Sequence, residues 1–178
     1  MSTPTRLEPI LADVRSKLAE RKKERGIEEL EASGSAVDGG RKGFRDALRR
    51  PGLSIIAEHK RKAPSSGHLA QRSLEETVQI YKTHGASVMS ILTEEDHFGG
   101  HLRDLEQASR SGLPCIRKDF IVDPYMIAEA KSCGASAVLL LASVLSDNEI
   151  ADYCAYAHKL DLAVLLEAHD GDELERAL

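Results

Sequence analysis

From residue 53 onward the chain alternates short apolar runs with amphipathic stretches. The runs at 53–58, 87–92, 114–118, 136–141 and 162–167 predict strands. The stretches at 73–84, 101–111, 124–133, 146–159 and 171–178 carry apolar residues at helical spacing and predict helices. The order is a (βα) unit repeated five times. Val138-Leu139-Leu140-Leu141 and Val164-Leu165-Leu166 are apolar at every position. That is the pattern of strands covered on both faces, hence of a parallel sheet between helices. Two strands are entered through the same tripeptide, Gly85-Ala86-Ser87 and Gly134-Ala135-Ser136, whose glycine closes the preceding helix. Upstream, Leu7, Ile10, Leu11, Val14 and Leu18 recur at helical spacing and predict an amphipathic helix, or a pair, over 6–32. Gly34, Gly39, Gly40 and Gly43 predict a break over 33–43, followed by a short helical piece at 44–49. Residues 1–50 therefore read as an N-terminal helical extension and 51–178 as the βα array.

A parallel α/β array can be an open doubly wound sheet or a closed (βα)₈ barrel. No GxGxxG or GxxxxGK[ST] follows any strand, so the nucleotide signal of the open class is missing. Polar groups stand instead at the carboxyl ends of several strands: Glu58 and Lys60, Thr93 and Glu94, Lys118 and Asp119, and Glu167. Barrel enzymes place their chemistry there. Residues two apart on a strand share a face, so Ile56, Glu58 and Lys60 point one way, and Ala57 and His59 the other. The same parity sets Lys118 above Ile116 and Glu167 above Leu165. Two lysines in one partly desolvated mouth would lower each other's pKa, and two carboxylates would raise each other's, which suits acid and base work. Solvated strand ends, or ion pairs closing the sheet, fit the same spacing.

The 178 residues are 42% hydrophobic, enough for a core. A net charge of −5 argues against a nucleic-acid partner, although Lys60-Arg61-Lys62 could hold one small anion. Cys115, Cys133 and Cys154 are far apart and form no CxxC pair, which suits a reducing cytoplasm better than a disulfide framework or a zinc knuckle. No window approaches the roughly 18 apolar residues of a membrane span. His97 and His101 are four apart, but Phe98-Gly99-Gly100 between them breaks a helix, so a polar loop is expected and no metal site. Asp119 reads equally as a partner of Lys118 or as a loop cap.

The quoted residues carry a more specific likeness. Ile56-Ala57-Glu58-His59-Lys60 with Pro64-Ser65-Ser66-Gly67, and Ser90-Ile91-Leu92-Thr93-Glu94 with Phe98 and Gly100, come first. Arg117-Lys118-Asp119-Phe120, Leu139-Leu140-Leu141 and Leu166-Glu167-Ala168-His169 follow in order. Together they resemble the indole-3-glycerol phosphate synthase family over roughly residues 50–178. The resemblance implies a (βα)₈ barrel that closes the ring of 1-(2-carboxyphenylamino)-1-deoxyribulose 5-phosphate with loss of carbon dioxide and water, in tryptophan biosynthesis. It also implies roles. Lys118 is similar to the general acid toward the ribulose carbonyl, and Lys60 to the lysine that holds the anthranilate carboxylate or shares the acid role. Glu167 matches the general base and Glu58 the carboxylate that orients the lysines and assists dehydration. Phe98, Phe120 and Leu139 would line the aromatic pocket, with Pro64 and Ser65 on the first loop. No metal or organic cofactor is implied.

The chain departs from the family pattern at Ala63, where serine is usual, and at Met126, where glutamine is common. Length is the larger departure. Five units span 53–178, about 25 residues each, against roughly 250 residues for eight units with an extension. The expectation is a C-terminally truncated barrel with little or no turnover alone, partnered by an oligomer mate or a complementing fragment. The alternatives are a noncatalytic partial barrel and a related phosphosugar enzyme such as phosphoribosylanthranilate isomerase.

Overall fold

A computed structural model describes residues 7–33, 40–63, 67–68 and 72–178. Three helices open the chain: α1 (Leu7–Glu24), α2 (Ile27–Ser33) and α3 (Gly40–Leu48). The array follows as β1 (Ile56–His59), α4 (Leu74–Thr83), β4 (Val88–Leu92), α5 (Leu102–Ser109), β5 (Cys115–Lys118), α6 (Pro124–Ser132), β6 (Ala137–Leu141), α7 (Asp147–Lys159), β7 (Ala163–Glu167) and α8 (Gly171–Ala177). Two short arms after β1, β2 (Lys62–Ala63) and β3 (Gly67–His68), pair antiparallel. The main sheet is parallel throughout, in the order β1-β4-β5-β6-β7. This is the (βα)₈-barrel type of α/β fold over five units.

Local chemistry explains the boundaries. Ser73 with Glu76, and Ser146 with Glu149, form capping boxes that start α4 and α7. Asp123 caps α6 ahead of Pro124. The repeated tripeptide acts identically in both places. Gly85 and Gly134 take positive φ (87° and 80°), and the next amides, of Ala86 and Ala135, reach back to Tyr81 O and Ala130 O. Ser87 N and Ser136 N then begin the next strand pairing, on Ile55 O and Cys115 O.

Strand parity divides the core. Met89, Ile91, Cys115, Val138, Leu140 and Leu162 pack outward against the helices, together with Ile10, Val14 and Leu18 of α1. Val88, Ile116, Ala137, Leu139, Leu141 and Ala163 form a second, inner cluster. Phe44 and Ala47 of α3 join that inner cluster, so α3 closes the amino end of the sheet's interior. Of the break expected over 33–43, residues 34–39 lie outside the described residues, and Gly40 and Gly43 lie inside α3 instead. Gly40 has φ +45° and lies against Asp161, whose carbonyl accepts Arg41 N, and the burial of Phe44 outweighs the poor helix propensity of glycine. β1 starts at Ile56, not at residue 53, and Leu53 is exposed.

The loop after β4 is held close to its strand by Gly100, whose amide donates to Glu94 O. A Cβ at Gly100 would stand 2.2 Å from Leu92 O and 2.6 Å from Leu92 C, both backbone atoms that cannot step aside. Gly100→Ala is expected to destabilise by about 1–3 kcal/mol, read as a lower melting temperature. An unchanged melting temperature would contradict the packing described for this loop.

Candidate active site

Glu58 and Lys60 lie at and just beyond the carboxyl end of β1, and Lys118 ends β5. Glu58 is the bridge between the two lysines. Its Oε1 is 2.9 Å from Lys60 Nζ, and its Oε2 accepts a 2.7 Å hydrogen bond from Lys118 Nζ, across two intervening strand spacings. Burial pulls the Glu58 carboxyl upward, but the hydrogen bonds and charges of Lys118 and Lys60 outweigh it and hold the group below the ordinary glutamate range. The expected raising of the carboxylates is thus reversed for Glu58. Its contacts are ammonium groups at hydrogen-bond distance, and Glu167 is paired elsewhere. Because the folded value is depressed, the stability Glu58 contributes is present above its unfolded value and is lost as pH falls through the depressed one. A carboxyl-carbon NMR titration should give Glu58 a midpoint below that of an exposed glutamate, and a midpoint above it would refute the clamp.

Glu167 ends β7 and pairs with His169, Oε1 to Nε2 at 3.1 Å. His169 in turn lies 3.6 Å from Glu173, which also accepts the His169 amide at the start of α8.

An open pocket of about 280 Å³ lies between these groups. Lys118, Asp119 and Glu167 are its charged lining residues, and Phe98, Phe120 and Leu139 make much of its apolar wall. The two phenylalanine rings are 6.1 Å apart and tilted by 43°. Both are positioned by buried carboxylates. Glu94 accepts the amides of Asp96, His97 and Phe98, and Asp119 accepts that of Phe120. Thr93, Glu94 and Asp119 therefore lock loops at the strand ends, while Glu58, Lys60, Lys118 and Glu167 carry the charge of the mouth. Lys118 belongs to both the clamp and the pocket. Pro64 and Ser65 fall outside the described residues.

Leu7, Leu92, Leu141, Ser143 and His169 are wall residues that escaped the sequence reading. Leu92 and Leu141 share the inner face with Val88 and Leu139, so the parity that found Leu139 contained them already. Leu7 reaches the pocket from α1, and no local signal places a helix so distant in sequence there. His97 and His101 pair with different carboxylates, Asp13 at 3.0 Å and Glu95 at 3.6 Å. A second, larger cavity of about 410 Å³ lies among Arg41, Lys42, Arg45, Asp46, Arg49 and Asp161. It is charged throughout and has no aromatic wall, so the smaller pocket suits an aryl ligand better.

Charged side chains at the carboxyl ends of parallel strands, above a pocket walled by aromatic rings, define a barrel-type enzyme acting on a small molecule. A family model described as indole-3-glycerol phosphate synthase matches residues 7–178. The chain belongs to the indole-3-glycerol phosphate synthase family. Its chemistry is that of a carbon–carbon lyase of tryptophan biosynthesis, a decarboxylating ring closure on a phosphosugar substrate. No helix among the described residues is long and apolar enough to cross a membrane.

Proposed function

We propose that Lys118 is the general acid of this ring closure and that Glu58 holds it ready. The substrate is 1-(2-carboxyphenylamino)-1-deoxyribulose 5-phosphate. Its aryl ring rests against Phe98, Phe120 and Leu139, and its ribulose carbonyl faces Lys118 Nζ. A proton from Lys118 makes the carbonyl carbon electrophilic as the ring carbon bearing the carboxylate attacks it. Loss of carbon dioxide restores the aromatic ring. Lys60 holds the departing carboxylate or shares the acid role. Glu167 then removes the proton whose loss, with departure of the hydroxyl as water, completes the indole, and Glu58 assists that dehydration. Pro64 and Ser65 contact the substrate from the first loop. Aimed proton donors of this type contribute about 3 kcal/mol each.

The observation carrying this reading is that Lys118 joins the carboxylate clamp to the aromatic pocket. The test is a titration of the fluorescent substrate with the protein in excess, which separates binding from slow chemistry. The chain contains no tryptophan, so anthranilate emission is read against a low background. Saturable binding followed by release of one carbon dioxide per substrate is expected, and absence of binding would refute the reading.

We place the protein in the cytoplasm, which its free cysteines suit. Where it has a polypeptide partner, we propose that the partner pairs with the outer edges of β1 and β7. Inner-face residues of those two strands, Ile56 and Leu165, are 38% and 37% exposed.

A further inference from the structure

Lys118 sits between two charged residues that the reaction does not use. Arg117 is 1% exposed and heads the fully buried side chains by volume. Asp119 and Glu129 beside it are 5% exposed at their side chains. Burying a guanidinium is costly, and such networks are often replaced by apolar residues without loss of stability. Stability alone therefore does not account for it.

The geometry points to a different role. Arg117 projects from β5 on the face opposite Lys118, toward α6. Its Nη1 donates to Met126 O and to Glu129 Oε2 at 3.0 Å, which fixes it to α6. Its Nη2 donates to Asp119 Oδ2 at 3.0 Å, and its Nε to Thr93 Oγ1 at 3.2 Å. Thr93 Oγ1 donates in turn to Asp119 Oδ2 at 2.5 Å. The other oxygen of Asp119 accepts the Phe120 amide at 2.8 Å. Glu129 continues outward to Arg21 of α1, Oε1 to Nε at 2.7 Å. The residues before and after Lys118 are thus both locked to neighbouring elements, and the second lock carries the backbone of Phe120.

We propose that Arg117 is a positioning residue for the reaction. It holds Asp119, and through Asp119 it sets where the Phe120 ring and the Lys118 ammonium stand in the pocket, without touching the substrate. The effect on substrate rests on the functional reading above, whereas the effect on Phe120 does not.

The chain has three phenylalanines, Phe44, Phe98 and Phe120. Uniform 4-fluorophenylalanine labelling therefore gives three ¹⁹F lines, and Phe44, in the inner cluster with α3, serves as internal reference. Two variants weaken the lock from different sides. Arg117→Lys keeps the charge and loses the forked geometry, and Glu129→Gln removes the remote charge with nearly the same shape. In both, the Phe120 line is expected to shift or broaden while the Phe44 line stays in place, and KM for the substrate is expected to rise roughly fivefold with a smaller change in kcat.

A lower melting temperature with all three lines unmoved would mean a scaffold role only and would overturn the proposal. So would equal movement of the Phe44 line, which signals general loosening. If the unaltered protein fails to bind substrate, the functional reading falls, and the fluorine spectra still decide whether Arg117 governs Phe120. Should Arg117→Lys not fold, Glu129→Gln carries the same comparison.

Discussion

Lys118→Met is expected to slow release of carbon dioxide by roughly 10²–10⁴ in single turnover, with substrate binding weakened far less. The side chain keeps an unbranched stem one atom shorter and loses the ammonium group with its proton and charge. The fold should survive, because the inner-face neighbours of Lys118, Ile116 and Leu139, do not depend on the ammonium group. Glu58 would lose one of its two cationic partners and retain Lys60 at 2.9 Å. Its carboxyl should then titrate closer to the ordinary glutamate value, which ties the kinetic result to an independent one. A Lys118→Met variant that releases carbon dioxide at the unaltered rate would remove the general acid from the account. The substrate would then have to be activated by Lys60.

The largest expected loss of stability lies one residue away. Arg117→Met would leave Asp119 and Glu129 buried with no guanidinium between them, and removing one partner of a buried ion pair typically costs about 3–5 kcal/mol. That is a large fraction of a domain's total stability, and denaturant unfolding measures it directly. The double change Arg117→Met with Glu129→Leu should recover part of the loss, since it removes one of the stranded charges. A single variant as stable as the unaltered protein would show that water or side-chain movement already satisfies these carboxylates. The buried network described here would then be wrong.

The period-2 and period-3.6 patterns found all five strands of the main sheet and the helices between them, with ends displaced by at most three residues. Those elements are legible because each buries a face whose spacing is written locally. Parity alone places Glu58, Lys118 and Glu167 on the inner side. Contacts that depend on non-local packing were harder to read. α3 was partly hidden by Gly40 and Gly43, whose low propensity is overridden by Phe44 entering the inner cluster. Leu7 reaches the pocket only through the docking of α1, fixed by pairs such as Lys17 with Asp96 and Arg21 with Glu129.

The electrostatic error at Glu58 has a similar origin. Sequence parity gives the charges that share a mouth but not their pairing, and pairing decides the sign. With two lysines at hydrogen-bond distance, the carboxylate is held ionised, whereas a carboxylate neighbour would have done the reverse. Arg117 was visible as part of a motif. Its burial was not, because a charged residue at the end of a strand ordinarily reads as solvated.

The most direct test is a crystal structure of the protein with substrate bound. The account predicts the aryl ring against Phe98 and Phe120, with the ribulose carbonyl oxygen within hydrogen-bond distance of Lys118 Nζ. Substrate seated instead at the amino end of the sheet, among Arg41, Arg45 and Arg49, with Lys118 out of reach, would contradict it.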